Sequence, residues 1–322
     1  MIIKNITKMA FIKKNELLPQ RPIIMVLYGT PGTGKTSMAC TAENPLLIDT
    51  DRGFDRACQR VDTITANKWE DIYNAENLGN TEMRGIISDY STIIIDTAKA
   101  CLDDYLSAYV VQLNYKLATN SLKRFGEMAD QFRAFVNILR AAGKDIIFIC
   151  HDKETQDGDV IRHAPDCTGQ SKDLLVRIAD MVGYICKNNG KRVLSFEPTD
   201  TRVGKNTTQL PTIEIPQYGS EDFKYFCKKI IQDVKKAIQS NGEAQQQALQ
   251  AIEEANAELV QCDTAEAANK LAEKAKKLAP VARKAFCLKM VKELKTKGIT
   301  LNPETKKFEK LEKPTEKEEV AK

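Results

Sequence analysis

Residues 29–36 read Gly29-Thr30-Pro31-Gly32-Thr33-Gly34-Lys35-Thr36, which satisfies G-x-x-x-x-G-K-[ST]. The apolar run Ile23-Ile24-Met25-Val26-Leu27 precedes it and the helix-competent Ser37-Met38-Ala39-Cys40 follows. A chance match to the four fixed positions occurs on the order of once per hundred chains of this size. The expected local structure is a strand, a tight turn and a helix N-terminus. In such a turn successive backbone NH groups point inward, where the helix dipole also favours negative charge. Gly29, Thr30, Pro31, Gly32, Thr33, Gly34, Lys35, Thr36 and Ser37 are therefore the expected nucleotide-binding residues. Lys35 would reach the β- and γ-oxygens of ATP, and Thr36 would place its hydroxyl on Mg2+.

From residue 23 to about 215, short β-branched runs alternate with longer amphipathic segments. This is the pattern of an α/β fold whose mostly parallel sheet carries helices on both faces. Strands are expected at residues 23–27, 45–48, 92–95, 145–150, 181–186, 192–196 and 212–215. The first four lack polar alternation, as strands covered on both sides do. The later ones are shorter and, with Gly190 as a turn, suggest an antiparallel extension at the sheet edge. After Pro216-Gln217-Tyr218-Gly219 the composition shifts to Ala, Glu, Lys, Gln and Leu. Four segments are expected: an N-terminal extension (1–20), a nucleotide-binding domain (21–219), a helical C-terminal domain (220–300) and a disordered charged tail (301–322). Phe223, Phe226, Cys227, Ile230, Ile231, Val234 and Ile238 recur at helical spacing, and Asn241-Gly242 is expected to stop that helix.

Composition narrows the remaining classes. No apolar run approaches the roughly 18 residues of a membrane span. Lys4, Lys8, Lys13 and Lys14 interrupt the N-terminus, so no export signal is expected. The nine cysteines form no C-x-x-C pair, which suits free thiols in a reducing cytoplasm. Residues 221–322 hold 21 Lys and Arg against 17 Asp and Glu, the whole of the net charge of +4. So mild an excess does not by itself indicate nucleic-acid binding.

A carboxylate at the end of a buried strand is needed for the magnesium shell, and Ser91-Thr92-Ile93-Ile94-Ile95-Asp96-Thr97 offers one. Asp96 is the expected second Mg2+ residue beside Thr36; capping the next helix is an alternative role. Taken in order, the phosphate loop, Ile48-Asp49-Thr50-Asp51, Ile95-Asp96-Thr97 and the strand end at His151 make residues 20–217 resemble the RecA-like P-loop NTPases. With Arg162-His163-Ala164-Pro165 and Asp180-Met181-Val182 following them, the same points in order resemble the phage recombination and single-strand annealing proteins of the Sak type.

That resemblance implies a RecA-like core and ATPase activity, with Asp51 activating the attacking water and His151 sensing the γ-phosphate. Arg202 and Lys205 would reach a neighbouring subunit's nucleotide. It also implies a homo-oligomeric ring or filament in the host cytoplasm, binding single-stranded DNA and cooperating with a single-strand DNA-binding protein. Candidate DNA contacts are Lys116, Lys123, Arg124, Lys153, Arg162 and Lys172, with Tyr115 and Phe125 nearby. Two other readings stay open. One is an AAA+ type helicase loader or remodelling protein, against which Thr97 argues, since that class usually carries Glu at this position. The other is a slowly hydrolysing nucleotide switch.

Overall fold

Strand β1 (Ile24–Gly29) is buried along its whole length, and the sheet is built outward from it in the computed structural model. The structure describes residues 16, 19–57, 59–73 and 81–311. Most of the N-terminal extension, Cys58 and the tail from 312 lie outside the described residues. The sheet contains β2 (Pro45–Asp49), β3 (Asp62–Thr65), β4 (Thr92–Asp96), β5 (Asp145–Asp157), β6 (Val160–Pro165), β7 (Met181–Asn188), β8 (Lys191–Ser195), β9 (Lys205–Asn206) and β10 (Ile213–Glu214). Its order is β10-β8-β7-β1-β5-β4-β2-β3, with β6 paired to β5 and β9 to β7. Strands β7, β1, β5, β4, β2 and β3 are parallel to their neighbours within that run. Antiparallel β8 and β10 form the expected edge extension.

Alternation along the strands divides the core into two layers, because successive side chains point to opposite faces. Ile24, Val26, Tyr28, Ile93, Ile95, Ile146 and Phe148 face one layer. That layer is closed by α2 (Trp69–Ile72), α3 (Thr81–Ser88) and α4 (Ser107–Leu113), the last continuing a π-helical stretch (Ala100–Leu106), together with α5 (Ser121–Ala141) and α6 (Gly169–Ile178). Met25, Leu27, Ile94, Ile147 and Ile149 face the other. This second face is covered by α1 (Lys35–Ala39), α7 (Glu221–Lys224) and the start of α8 (Phe226–Val260). The result is a P-loop NTPase core with helices on both faces.

The change in composition near residue 220 is not where the first compact unit ends; that unit runs to Ile238. Phe223, Phe226, Cys227, Ile230, Ile231 and Val234 are buried against the sheet, and the Cys227 amide donates to Thr41 Oγ1 at 2.8 Å. The apolar stripe read from the sequence is thus core of the nucleotide-binding domain. Helix α8 also passes through Asn241-Gly242 without a break. A helical glycine costs only about 1 kcal/mol relative to alanine, and the Ala- and Gln-rich turns that follow restore the propensity.

The second unit comprises, among described residues from Gln239 on, the rest of α8, α9 (Ala265–Ala275), α10 (Pro280–Thr296) and a hairpin of β11 (Ile299–Leu301) and β12 (Phe308–Lys310). Leu259, Leu271, Phe286, Met290, Leu294, Ile299 and Phe308 form its core. Residues 302–311, expected as disordered tail, are tied down because Asn269 exchanges two hydrogen bonds with the Phe308 backbone, at 2.8 and 2.9 Å.

Truncating Ile230 should therefore destabilise the nucleotide-binding core. Ile230→Ala is expected to lose about 2–5 kcal/mol in urea unfolding followed by circular dichroism. A loss under ~0.5 kcal/mol would place this part of α8 outside the core.

Candidate nucleotide-binding site

The carboxyl ends of the parallel strands bring the sequence motifs together. Across β1 and β5 Gly29 pairs with His151, across β4 and β5 Asp96 pairs with Ile149, and across β2 and β4 Asp49 pairs with Asp96. Strand β5 lies between the strand that launches the loop and the strand that carries Asp96. Open α/β sheets bind ligands at this end. A cleft of about 260 Å3 opens there, lined by Pro31, Gly32, Gly34, Lys35, Thr36, Ser37, Asp51, Gly53, Ala57, Asp96 and His151.

The loop is shaped by close approach as well as by backbone freedom. A β-carbon on Gly29 would stand 2.3 Å from the Ile185 carbonyl oxygen of β7, and Gly34, the N-cap of α1, has φ +84°. A side chain at the first position would clash, and one at the second would strain the backbone. Lys35 is buried, its Nζ donating to the carbonyls of Gly29 at 2.9 Å and Thr30 at 3.0 Å. Burial lowers its pKa, while the nearby Asp96 carboxylate opposes that shift. Thr36 Oγ1 donates to Asp96 Oδ2 at 2.5 Å, so the two expected Mg2+ residues already meet.

Asp96 is free for that contact because the following residue does the capping. Thr97 Oγ1 accepts from the Ala100 amide at 3.3 Å, at the start of the helical segment that follows β4. Burial pushes the Asp96 carboxyl up to about 6; the Thr36 hydrogen bond works against this, and the Asp51 charge adds to it.

Asp51 is held over the cleft by the turn after β2. Asp49 accepts from the Gly53 and Phe54 amides, each at 3.2 Å. Thr50 is joined to β4 through its amide on Asp96 O at 2.7 Å and its hydroxyl on Thr97 O at 2.9 Å. Tyr105 Oη donates to Thr50 O at 2.7 Å from the other side. This bracing leaves Asp51 Oδ2 4.0 Å from His151 Nε2. Desolvation lowers the His151 pKa and Lys35 lowers it further, with Asp51 opposing, so its imidazole is neutral at neutral pH.

Behind His151 lies a polar cluster that single motifs do not reveal. Asp152, with its side chain 1% exposed, is 2.6 Å from His163 Nδ1 and accepts from Tyr184 Oη at 3.2 Å. Burial and the Asp152 charge push the Tyr184 phenol above its usual range, which keeps it a donor. The Tyr184 and Tyr28 rings pack at a tilt of 43° with centroids 5.0 Å apart, and Tyr28 donates to Val203 O at 2.5 Å. Because Tyr28 directly precedes Gly29, this cluster braces the strand end from which the loop springs.

The remaining expected residues are dispersed. Arg202 Nη2 donates to Ser195 Oγ at 3.1 Å, and its backbone bridges His163. Lys205 Nζ donates to the carbonyls of Val176, Arg177 and Ala179, at 3.2, 3.3 and 2.5 Å. There it neutralises the negative end of α6, a structural role that reaching into a neighbour would break. Lys116, Lys123 and Lys153 are exposed, and Arg124 and Lys172 are half-buried. Arg162 is exposed and engages Asp200 O and Asp157. Tyr115 is 78% exposed, so it is not core. Among the described residues no helix is long and apolar enough to cross a membrane.

The cleft fits Mg2+ and a nucleotide polyphosphate. Asp51 and Asp96 both act on the buried Lys35, and Asp49 adds to the negative charge felt by Asp96, a local surplus that a divalent ion would offset. Thr36 and Asp96 would hold the ion, with the loop amides and Lys35 on the phosphates. Lys35→Ala should abolish nucleotide binding in titration calorimetry, and retained affinity would refute the assignment of the loop.

A second expectation concerns pH. Folded Asp96 binds its proton more tightly than in the unfolded chain, so ionising it costs folding free energy. The cost is absent below about pH 3, grows as pH rises from the ordinary carboxylate value of 3.8 to about 6 and is complete above. Nucleotide-free Asp96→Asn should match the parent near pH 3 and exceed it by roughly 2–3 kcal/mol at about pH 8 in urea titrations. A difference independent of pH would show that the carboxyl is not held up by burial.

Two comparisons bear on this geometry. No curated protein matches the chain. A family model described as AAA domain matches residues 21–208, more than half of the chain and the segment that holds β1 to β9 with every cleft residue. Thr97, expected to argue against that class, is here a residue that caps the helix after β4. The chain belongs to the AAA domain family and is a P-loop nucleotide-binding protein.

Proposed function

We propose that this chain is an ATP-hydrolysing, RecA-like recombination protein of phage type, binding single-stranded DNA as an ATP-regulated homo-oligomer. The reading rests on one observation above all: Asp51 and His151 meet at 4.0 Å over the cleft formed by Lys35, Thr36 and Asp96. A carboxylate and a neutral imidazole at this spacing can orient a water in line with the γ-phosphate. Asp51 takes the proton of that water. His151 hydrogen-bonds the transferring phosphoryl group or the water without adding charge, and Lys35 offsets the charge on the phosphate oxygens. Mg2+, when bound, supplies further charge neutralisation between Thr36 and Asp96.

The DNA part of the proposal is supported by the side chains beyond the same strand ends. Strand β5 continues past His151 into an exposed hairpin with β6, which carries Lys153 and Arg162. Exposed Tyr115 and Lys116 stand on the turn before α5, and Lys123 and Arg124 in its first turn. Basic groups with a free aromatic face suit a strand held by phosphate contacts and base stacking. Lys172 on α6 would add to this surface, a single-strand DNA-binding protein is the partner proposed to hand over the strand, and Arg202 is the better placed of the two candidates for contact with a neighbouring subunit. The AAA domain match favours a second reading, a remodelling or loader ATPase whose client is a protein.

Asp51→Asn is expected to keep nucleotide affinity within about twofold while lowering turnover by ~100-fold or more; unchanged turnover would place the base elsewhere. Adding single-stranded DNA to the parent protein with ATP should raise turnover and retard the DNA in a gel. No response in either measurement would favour the protein-client reading.

A further inference from the structure

We infer that Arg192, on β8, is a phosphate-binding residue of the nucleotide site, supplied by the same chain from the edge hairpin. The inference rests on the reading of the loop as a nucleotide site and names a ligand contact that the motif does not contain. Both fixed glycines at the ends of the loop close on the β7–β8 hairpin. Gly29 abuts the Ile185 carbonyl of β7, and a β-carbon on Gly34 would lie 2.7 Å from Arg192 Nη1. The guanidinium therefore rests against the turn that immediately precedes Lys35 and α1, where the backbone amides gather.

Its orientation is fixed from behind. Arg192 Nη2 donates to Pro216 O at 2.8 Å, and the guanidinium carbon lies 5.9 Å from the centre of the buried Phe223 ring. Phe223 is in turn packed edge-on by Tyr218, with ring centroids 5.6 Å apart. Adjacent Lys191 pairs with Glu214 at 2.8 Å, whereas among the described residues Arg192 pairs with a backbone carbonyl and no carboxylate. A charge held on one side by a neutral carbonyl and an aromatic face, with its other nitrogen against a phosphate-binding turn, keeps its attraction for an anion. The planar fork suits phosphate oxygens better than a point charge would.

The test measures binding of MgADP and of its competitor, inorganic pyrophosphate, to the full chain and to Arg192→Met, Arg192→Lys and Lys35→Ala. Methionine keeps the stem packed over Phe223, and the thermal midpoint without nucleotide reports on folding. Arg192→Met is expected to weaken MgADP and pyrophosphate in parallel by about 10- to 100-fold with an unchanged midpoint, and Arg192→Lys to recover part of the loss. MgADP affinity within twofold of the parent in Arg192→Met, while Lys35→Ala has lost binding, would overturn the inference and leave the loop assignment intact. A loss for MgADP with pyrophosphate unaffected would also overturn it, by placing Arg192 on the nucleoside. If Arg192→Met lowers the midpoint, Arg192→Lys decides: a parallel weakening of both ligands at the parent's midpoint supports the phosphate contact, and parent affinity for both overturns it. Retained binding in Lys35→Ala would instead sink the nucleotide-site reading itself.

Discussion

The hydrogen bond from Thr36 Oγ1 to Asp96 Oδ2 spans a strand that belongs to neither residue. Thr36 opens the helix after β1 and Asp96 closes β4, and β5 runs between them. For the two to meet at 2.5 Å, β1, β5 and β4 must hold their parallel register, which pairs Gly29 with His151 and Asp96 with Ile149. His151 then arrives between them, because it is the residue of β5 that pairs with Gly29. The geometry of the site is thus a consequence of sheet order, and any slip of one residue would turn the site-forming side chains to the opposite face.

The same juxtaposition is costly to the empty fold. Asp49, Asp51 and Asp96 gather in a partly desolvated corner, and burial holds the Asp96 carboxyl near 6. Lys35 is likewise buried, facing its own loop carbonyls. Charges of both signs are kept close and incompletely solvated, the condition under which a polyphosphate and a divalent ion bind strongly. The stability that this corner forgoes is supplied elsewhere, by two apolar layers whose strand residues are almost fully covered.

The second face of the sheet links the site to the long helix α8. Cys227 and Lys228 bond to Thr41 and Glu43, just beyond α1, while Phe223 backs Arg192. The first turns of α8 and the phosphate loop therefore share one packing layer. This explains why a boundary drawn by composition falls within a structural unit: the Lys- and Glu-rich exposed side of the helix sets its composition, and its buried stripe sets its allegiance.

Sequence alone determined the phosphate loop, the buried strands and the carboxylates at their ends, because each depends on a local pattern: fixed glycines, uninterrupted β-branched runs, one acidic residue after an apolar stretch. It also marked Asp51 and His151 as strand-end residues. What only the tertiary structure decided was which of these stand together. The interleaving of β5 between β1 and β4, the bracing of Asp51 by Thr50 and Tyr105, the use of Lys205 on α6, and the approach of Arg192 to Gly34 all join residues that are distant along the chain. No periodicity encodes such contacts; they follow from the order in which the strands pack, and a basic residue in an edge strand reads the same in the sequence whether it faces water or a phosphate-binding loop.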